Sequence, residues 1–259
     1  MTFLMQRPSM IFLYWRVLVT KKNILITGGT SGIGLNIVES LHQNYSFINL
    51  SRTSPSDSNK IYFSGSHMVD LLSPEENIKK ALTYLKSKDL IFDGLVACAG
   101  MQKISSISSI REKDIVKLFQ LNLFSNVYLL KNMMRLGLVS EGASLIFLSS
   151  ISADRPDVGI SSYSMTKAAI DNFVKVAACE YAGKKIRVNS IRAGLINTPM
   201  IENERAYSKD FLQKEESKYK LGAGKPEYIS NIVEFLLSDN STWITGQNLT
   251  VDGGRSLHQ

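Results

Sequence analysis

The chain is poor in cysteine, histidine and proline. Its 259 residues include two cysteines, three histidines and six prolines. Cys98 and Cys179 stand far apart with no C-x-x-C, which argues against a disulfide framework and suits a reducing, cytoplasmic compartment. His42, His67 and His258 lack metal-ligand spacing, so no metal site is expected. Long apolar runs are missing too. The N-terminal run Met10–Val19 is broken by Arg16, well short of the roughly 20 residues a bilayer span needs. It also lacks the uninterrupted apolar core and small-residue cleavage site of a secretory signal. Residues 1–21 therefore read as a poorly ordered or packed-down extension, with contact to a membrane surface as the lesser alternative. No membrane partner is expected.

Acidic residues are the scarcer charged type, 23 against 30 Lys and Arg, for a net charge of +7. Four of those positive charges, Arg7, Arg16, Lys21 and Lys22, fall in the acid-free stretch 1–22. No Lys/Arg run is interleaved with aromatics, so a nucleic-acid partner is not expected. A mildly basic body still suits an anionic small ligand. The composition, 44% hydrophobic and 20% charged, is that of an ordinary globular protein, and this length fits one domain over residues 22–259.

After Lys22 the pattern alternates. Short apolar runs (NILIT, FINL, GLVACAG, SLIFLSS, IRVNSI, NLTVDGG) are separated by segments of helical periodicity, such as Ile107–Met134 and Pro226–Leu237. Continuous apolar strands between helices predict an α/β fold, a parallel sheet covered on both faces. No repeat or low-complexity tract interrupts it. The densely charged stretch Ile201–Lys220 reads as part of a mobile lid or as a solvated helix pair.

The first strand runs into TGGTSGIG, Thr27 to Gly34, which opens a helix through Leu41. Strand, glycine turn and helix in that order point to a dinucleotide. Gly28, Gly32 and Gly34 let the backbone approach a pyrophosphate, and the amides of the helix start, with Thr30, Ser31 and Ile33, face the anion. The second strand ends in Ser51, Arg52 and Thr53. An acidic residue there would bind a ribose 2′-OH. A guanidinium beside small hydroxyls suits a 2′-phosphate, so NADP(H) is favoured and NAD(H) stays possible.

Three Y-x-x-x-K pairs occur: Tyr84/Lys88, Tyr163/Lys167 and Tyr181/Lys185. A tyrosine and a lysine four residues apart share one helix face, about 6 Å apart along the axis. Spacing alone does not choose among them. Ser150 lies at the end of an apolar strand, where parallel-sheet sites sit.

Taken together, TGGTSGIG, Asp70 in VDL, ACAG (Ala97–Gly100), Asn122 in QLNLF, Ser150 in LSSIS, YSMTK and VDGG make the chain resemble the short-chain dehydrogenase/reductase family over roughly Lys22 to Gly254, with members of the 3-oxoacyl-[acyl-carrier-protein] reductase type nearest. The resemblance implies a Rossmann-type doubly wound fold with a seven-stranded parallel sheet in a single domain. In this family a serine precedes the active-site tyrosine by thirteen residues. Ser150 does so for Tyr163, whereas Tyr84 and Tyr181 have Leu71 and Ala168 at that distance. Tyr84/Lys88 and Tyr181/Lys185 then read as solvated pairs.

The implied reaction interconverts a ketone and a secondary alcohol. A free tyrosine, with a pKa of about 10, exchanges protons poorly near neutrality, and a neighbouring ammonium brings it into range. Tyr163 is the expected acid/base. Lys167 lowers its pKa and, by resemblance, holds the nicotinamide ribose. Ser150 stabilises the developing oxyanion. The resemblance further implies that Asn122 supports a water relay reaching Lys167. It assigns Asp70 and Leu71 to the adenine edge, Ala99 and Gly100 to the ribose, and Gly194, Ile196 and Thr198 to the carboxamide end. Two positions depart from the family pattern: Cys98 stands where NNAG has a polar residue, and Ala193 stands before Gly194 where proline is frequent. Cys98 reads as a buried small apolar side chain.

Partners expected by resemblance are a small carbonyl or alcohol substrate and a second copy of the chain, as homodimer or homotetramer through the helices Ile107–Leu136 and Ser161–Ala182 and the C-terminal segment. Substrate choice would fall to Ser152–Ser162 and to a lid over Pro199–Gly224, which leaves sugar, nucleotide-sugar and steroid-like substrates open. A non-enzymatic cofactor-binding scaffold is the competing class.

Overall fold

The computed structural model describes residues 21–198 and 209–257. The anticipated N-terminal extension lies outside the described residues apart from Lys21, as do residues 199–208 of the anticipated lid. In chain order the elements are β1 (Lys22–Thr27), α1 (Gly32–Leu41), β2 (Tyr45–Ser51), β3 (Gly65–Met68), α2 (Glu75–Lys86), β4 (Phe92–Ala97), α3 (Glu112–Phe119), α4 (Ser125–Arg135), β5 (Val139–Ser150), α5 (Ser161–Tyr181), β6 (Arg187–Ala193), α6 (Lys209–Glu216), α7 (Pro226–Leu237) and β7 (Asn248–Val251).

The seven strands form one parallel sheet in the order β3-β2-β1-β4-β5-β6-β7. Period-two alternation splits each central strand between two cores. Leu25, Leu95, Leu145 and Phe147 turn to the face covered by α2, α4 and α5. Ile24, Ile26, Val96, Ile146 and Leu148 turn to the face covered by α1 and α7. Strands buried on both faces therefore read as unbroken apolar runs. The strand order reverses between β1 and β4, and such a reversal opens a crevice beyond the carboxyl ends of the strands. No helix among the described residues is long and apolar enough to cross a membrane.

Helix boundaries follow their punctuation. Pro226 opens α7 at a position where the missing N–H costs nothing. The continuous helix expected over Ile107–Leu136 is corrected by the structure. It begins only at Glu112, after a short 3-10 turn at Ile107–Ser109, and it carries a π turn at Gln120–Phe124 between α3 and α4. Ser125 Oγ donates to the Leu121 carbonyl at 2.6 Å, and Asn126 Nδ2 donates to the Asn122 carbonyl at 2.8 Å. These side chains satisfy carbonyls that the wider turn releases from the regular ladder.

Gly94 on β4 is hemmed in on both sides. A Cβ there would lie 2.8 Å from Ile24 Cδ1, 2.9 Å from Leu237 Cδ2 and 3.0 Å from the Ser144 carbonyl oxygen. Gly94→Ala should lower the unfolding free energy by about 1–3 kcal/mol, read as a reduced denaturant midpoint at unchanged slope. An unchanged midpoint would contradict this account of the packing.

Candidate active site

The glycine turn sits at the carboxyl end of β1, beside the strand-order reversal. Gly28 has φ +68°, and a Cβ on it would lie 2.9 Å from the Ala99 backbone nitrogen. A methyl on Gly34 would overlap the Gly28 carbonyl. The two glycines thus hold the α1 amino end close against β1 and β4. No side chain caps that end: Ser31 at the N-cap is extended and makes no capping bond. Free amides of a helix start facing a cleft suit an anion.

That cleft has a volume of about 450 Å³. The structure brings to it Gly28, Thr30, Ser31, Gly32, Ile33, Gly34, Ser51, Arg52, Thr53, Asp70, Leu71, Ala99, Gly100 and Thr198. Cys98, Met101, Leu72, Lys117 and Leu121 also line it, and sequence reasoning did not assign them to the cofactor. At the β2 end, Ser51 is buried and its hydroxyl donates to the Thr53 carbonyl at 2.7 Å while accepting from Asn49 Nδ2 at 2.8 Å. Its hydroxyl proton is therefore spent on the turn and is not offered to a ligand. Arg52 is exposed and forms no ion pair with any described residue. Asp70 is also exposed and accepts from the Leu72 amide at 3.0 Å.

A second cleft, of about 270 Å³, opens beyond β5 and β6 and shares Ile33, Cys98, Gly100, Met101 and Thr198 with the first. It is lined by Ser150, Tyr163, Lys167, Gly194 and Ile196. Lys167 is 6% exposed. Its Nζ donates to the Leu148 carbonyl at 2.7 Å and sits 5.5 Å from the centroid of the Tyr163 ring. Burial pulls this ammonium down to about 8, while Cys98 and Asp171 act in the opposite direction. Cys98, expected to be buried, is only half-buried and lines both clefts, and desolvation pushes its thiol up to about 12 in spite of Lys167. Asp171, one turn on from Lys167, accepts from Arg192 Nε at 2.6 Å and from Ser190 Oγ at 2.8 Å, which ties α5 to β6.

The other Tyr-Lys pairs differ by environment. Lys88 lies 5.4 Å from the Tyr84 centroid, nearly the same geometry, but Tyr84 is 48% exposed and lines neither of these clefts. Lys185 falls beyond the end of α5 with φ +55° and pairs with Glu141 at 3.2 Å. Only Tyr163/Lys167 combines the spacing with a buried cation in a cleft wall.

Asn122 lines neither cleft; it is fully buried in the π turn. Its Oδ1 accepts from the Met101 amide at 2.9 Å. Its Nδ2 donates to the Met101 carbonyl at 2.9 Å and to Thr166 Oγ1 at 3.1 Å. The side chain thereby holds the ACAG loop against α5. A Cβ on Gly100 would lie 3.4 Å from Asn122 Oδ1 and 3.8 Å from Lys167 Nζ, so the two groups converge on one backbone position.

Two features of the second cleft escaped the sequence reading. The Tyr219 hydroxyl accepts from the Leu195 amide at 2.8 Å, and burial pushes its pKa up to about 12. At the mouth, Arg255 Nε donates to Glu215 Oε1 at 3.2 Å and Arg255 Nη2 to Asp157 Oδ1 at 3.1 Å. This clasp joins α6, the loop after β5 and the C-terminal turn. Nothing local in the sequence announces it, since its three members are far apart in the chain.

A family model described as Enoyl-(Acyl carrier protein) reductase matches residues 28–256. The 3-oxoacyl-[acyl-carrier-protein] reductase FabG of Aquifex aeolicus is 30% identical over 239 residues, covering 89% of this chain and 95% of that protein. Carbonyl reductase family member 4 of Xenopus laevis is 30% identical over 237 residues, covering 90% of this chain and 97% of that protein. A solved short chain dehydrogenase family protein from Francisella tularensis subsp. tularensis SCHU S4 superimposes with a TM-score of 0.82 at 29% identity, covering 92% of this chain and 100% of that one.

The burial of Lys167 has a measurable sign. The folded chain holds this proton less tightly than the unfolded chain, which titrates near 10.5, so stability rises as pH climbs past about 8. The Cys98 thiol acts oppositely once pH passes its unfolded-chain value near 9, which makes pH 8–9 the clean window. Wild-type unfolding free energy should rise across that window, by at most about 1.4 kcal/mol per pH unit, and Lys167→Met should lack the rise. Parallel pH profiles for the two proteins would contradict the burial of a titrating ammonium.

Proposed function

The chain belongs to the short-chain dehydrogenase/reductase family, and from that premise we propose an NADP(H)-dependent oxidoreductase that interconverts a ketone and a secondary alcohol, with Tyr163 as acid/base. The observation that carries this reading is the buried Lys167 ammonium beside the Tyr163 ring, in the wall where the two clefts meet. A cation is costly to bury and is retained where its charge is used.

The residues of the first cleft fit a nicotinamide dinucleotide. Gly28 and Gly34 leave the backbone bare where a methyl would collide, and the uncapped start of α1 faces the space between them. Arg52, exposed and free of ion pairs with described residues, supports the choice of the 2′-phosphorylated cofactor, with Thr53 beside it. Asp70 and Leu71 would flank the adenine, Ala99 and Gly100 the ribose, and Gly194, Ile196 and Thr198 the carboxamide end. The bound cofactor supplies the hydride in reduction and accepts it in oxidation.

The chain's own groups do the rest. Tyr163 gives its phenolic proton to the carbonyl oxygen in reduction and takes it back in oxidation. Lys167 keeps positive charge beside the ring and so favours the phenolate. Ser150, whose oxygen already accepts from the Ser152 amide at 3.2 Å, donates its proton to the same substrate oxygen and stabilises the charge developing there. Asn122 is a positioning residue in this scheme: it braces Met101 and Thr166 around Lys167. Two free cysteines, exposed Phe124 in the π turn before α4, and exposed Met165 and Val176 on α5 support a cytoplasmic homodimer or homotetramer.

Tyr163→Phe tests the reading. Ketone reduction should fall by about 10²–10⁴-fold while NADPH affinity stays within about threefold of wild type. Undiminished turnover would remove Tyr163 from the chemistry.

A further inference from the structure

Four buried side-chain polar atoms among the described residues have no hydrogen-bond partner: Asn49 Oδ1 and the hydroxyls of Ser152, Ser161 and Ser164. Of these residues, only Ser152 lines either of the two clefts described above, and it is the one that holds Ser150 and Tyr163. Ser152 is 4% exposed. Folded proteins leave few buried polar groups unpaired, because each costs the hydration it has lost. An orphan hydroxyl in a cleft wall is a place where a ligand atom repays that loss.

The surroundings narrow what the ligand atom is. Ser152 lies in the 3-10 turn Ile151–Ala153 that follows β5, and its amide is committed to Ser150 Oγ at 3.2 Å. The neighbouring polar groups are committed as well. The Tyr219 hydroxyl accepts from Leu195, the Ser149 hydroxyl donates to the Lys167 carbonyl at 3.4 Å, and Asp157 and Glu215 are held by Arg255. Ile104, Ile151, Ile160 and Leu195 give the wall apolar surface, with Gln102 among them. A serine side chain has three staggered wells, and turning between them breaks no bond here.

We propose that Ser152 is a specificity-determining residue whose hydroxyl bonds a second oxygen of the substrate. Ser150 caps the 3-10 turn that carries Ser152, and we assign the two hydroxyls to oxygens on adjacent carbons of one substrate. The substrate class is then the α-oxygenated ketone with an apolar remainder, or the corresponding vicinal diol in the oxidative direction. A plain ketone leaves the serine unpaired and forfeits the bond. This inference rests on the oxidoreductase reading above.

The test compares 1-hydroxy-2-pentanone with 3-hexanone, its methyl-for-hydroxyl isostere, as substrates of the full chain with NADPH. In wild type, kcat/KM should favour the hydroxy ketone. In Ser152→Ala that preference should shrink about tenfold, and Ser152→Thr, which keeps the hydroxyl, should restore most of it. The denaturant midpoint of Ser152→Ala should not fall, because no protein bond is lost. An unchanged preference would overturn the assignment, as would an equal loss for both ketones. If wild type reduces neither ketone, saturation-transfer NMR reads binding of the hydroxy ketone to the protein with NADPH. Binding that Ser152→Ala abolishes would uphold the assignment and overturn the reaction reading. Binding equal in both proteins, or absent from both, would overturn the assignment.

Discussion

A buried ammonium is the constraint around which the rest of this structure is arranged. Lys167 sits 6% exposed between α5 and the carboxyl ends of β4 and β5. A lone charge in such a place is held only if a fixed acceptor and nearby opposite charge are supplied. The Leu148 carbonyl is the acceptor. Asp171 supplies the charge one helical turn away and is itself held by Ser190 and Arg192 on β6. The helix carrying Lys167 is thereby fixed to two neighbouring strands, and Tyr163, one turn earlier, has its ring fixed over the cation.

The sheet explains why this cation can serve a ligand. Parallel strands direct their carboxyl ends to one edge, and the order reversal between β1 and β4 opens that edge. The two clefts meet at Cys98, Gly100, Met101 and Thr198, directly beside Lys167. Asn122 connects the two halves by bonding both backbone groups of Met101 and the Thr166 hydroxyl. It can do so because the π turn at Gln120–Phe124 carries it inward from what would otherwise be a regular helix. A local irregularity in α3–α4 thus sets the loop that forms the floor shared by both clefts.

The parts legible in the sequence were those with strong local punctuation. Thr27–Gly34 announced the first turn because Gly28 and Gly34 occupy positions that a side chain would fill, and Pro226 marked the start of α7. Two-sided burial wrote unbroken apolar runs, from which the parallel sheet followed. Choosing Tyr163 over Tyr84 required the family spacing to Ser150, since the two pairs have almost the same Lys–ring geometry and differ in burial, which spacing does not encode. The π turn was hidden because one extra residue barely disturbs apolar periodicity; Ser125 and Asn126, which take the released carbonyls, were its only trace. Ser51 lines the first cleft while its hydroxyl closes its own turn, a bond that the strand pattern does not encode. The Arg255 clasp and the orphan Ser152 hydroxyl are products of tertiary placement and leave no local mark.

The proposed function requires a dinucleotide in the first cleft, with Arg52 against its 2′-phosphate. The most direct measurement is a paired fluorescence titration of the unmodified protein with NADPH and NADH at fixed salt. A lone charge-assisted contact of the kind assigned to Arg52 predicts NADPH binding about 10–100-fold tighter. Equal or tighter binding of NADH would contradict that assignment. Binding of neither would contradict the reading of both clefts from Gly28 onward.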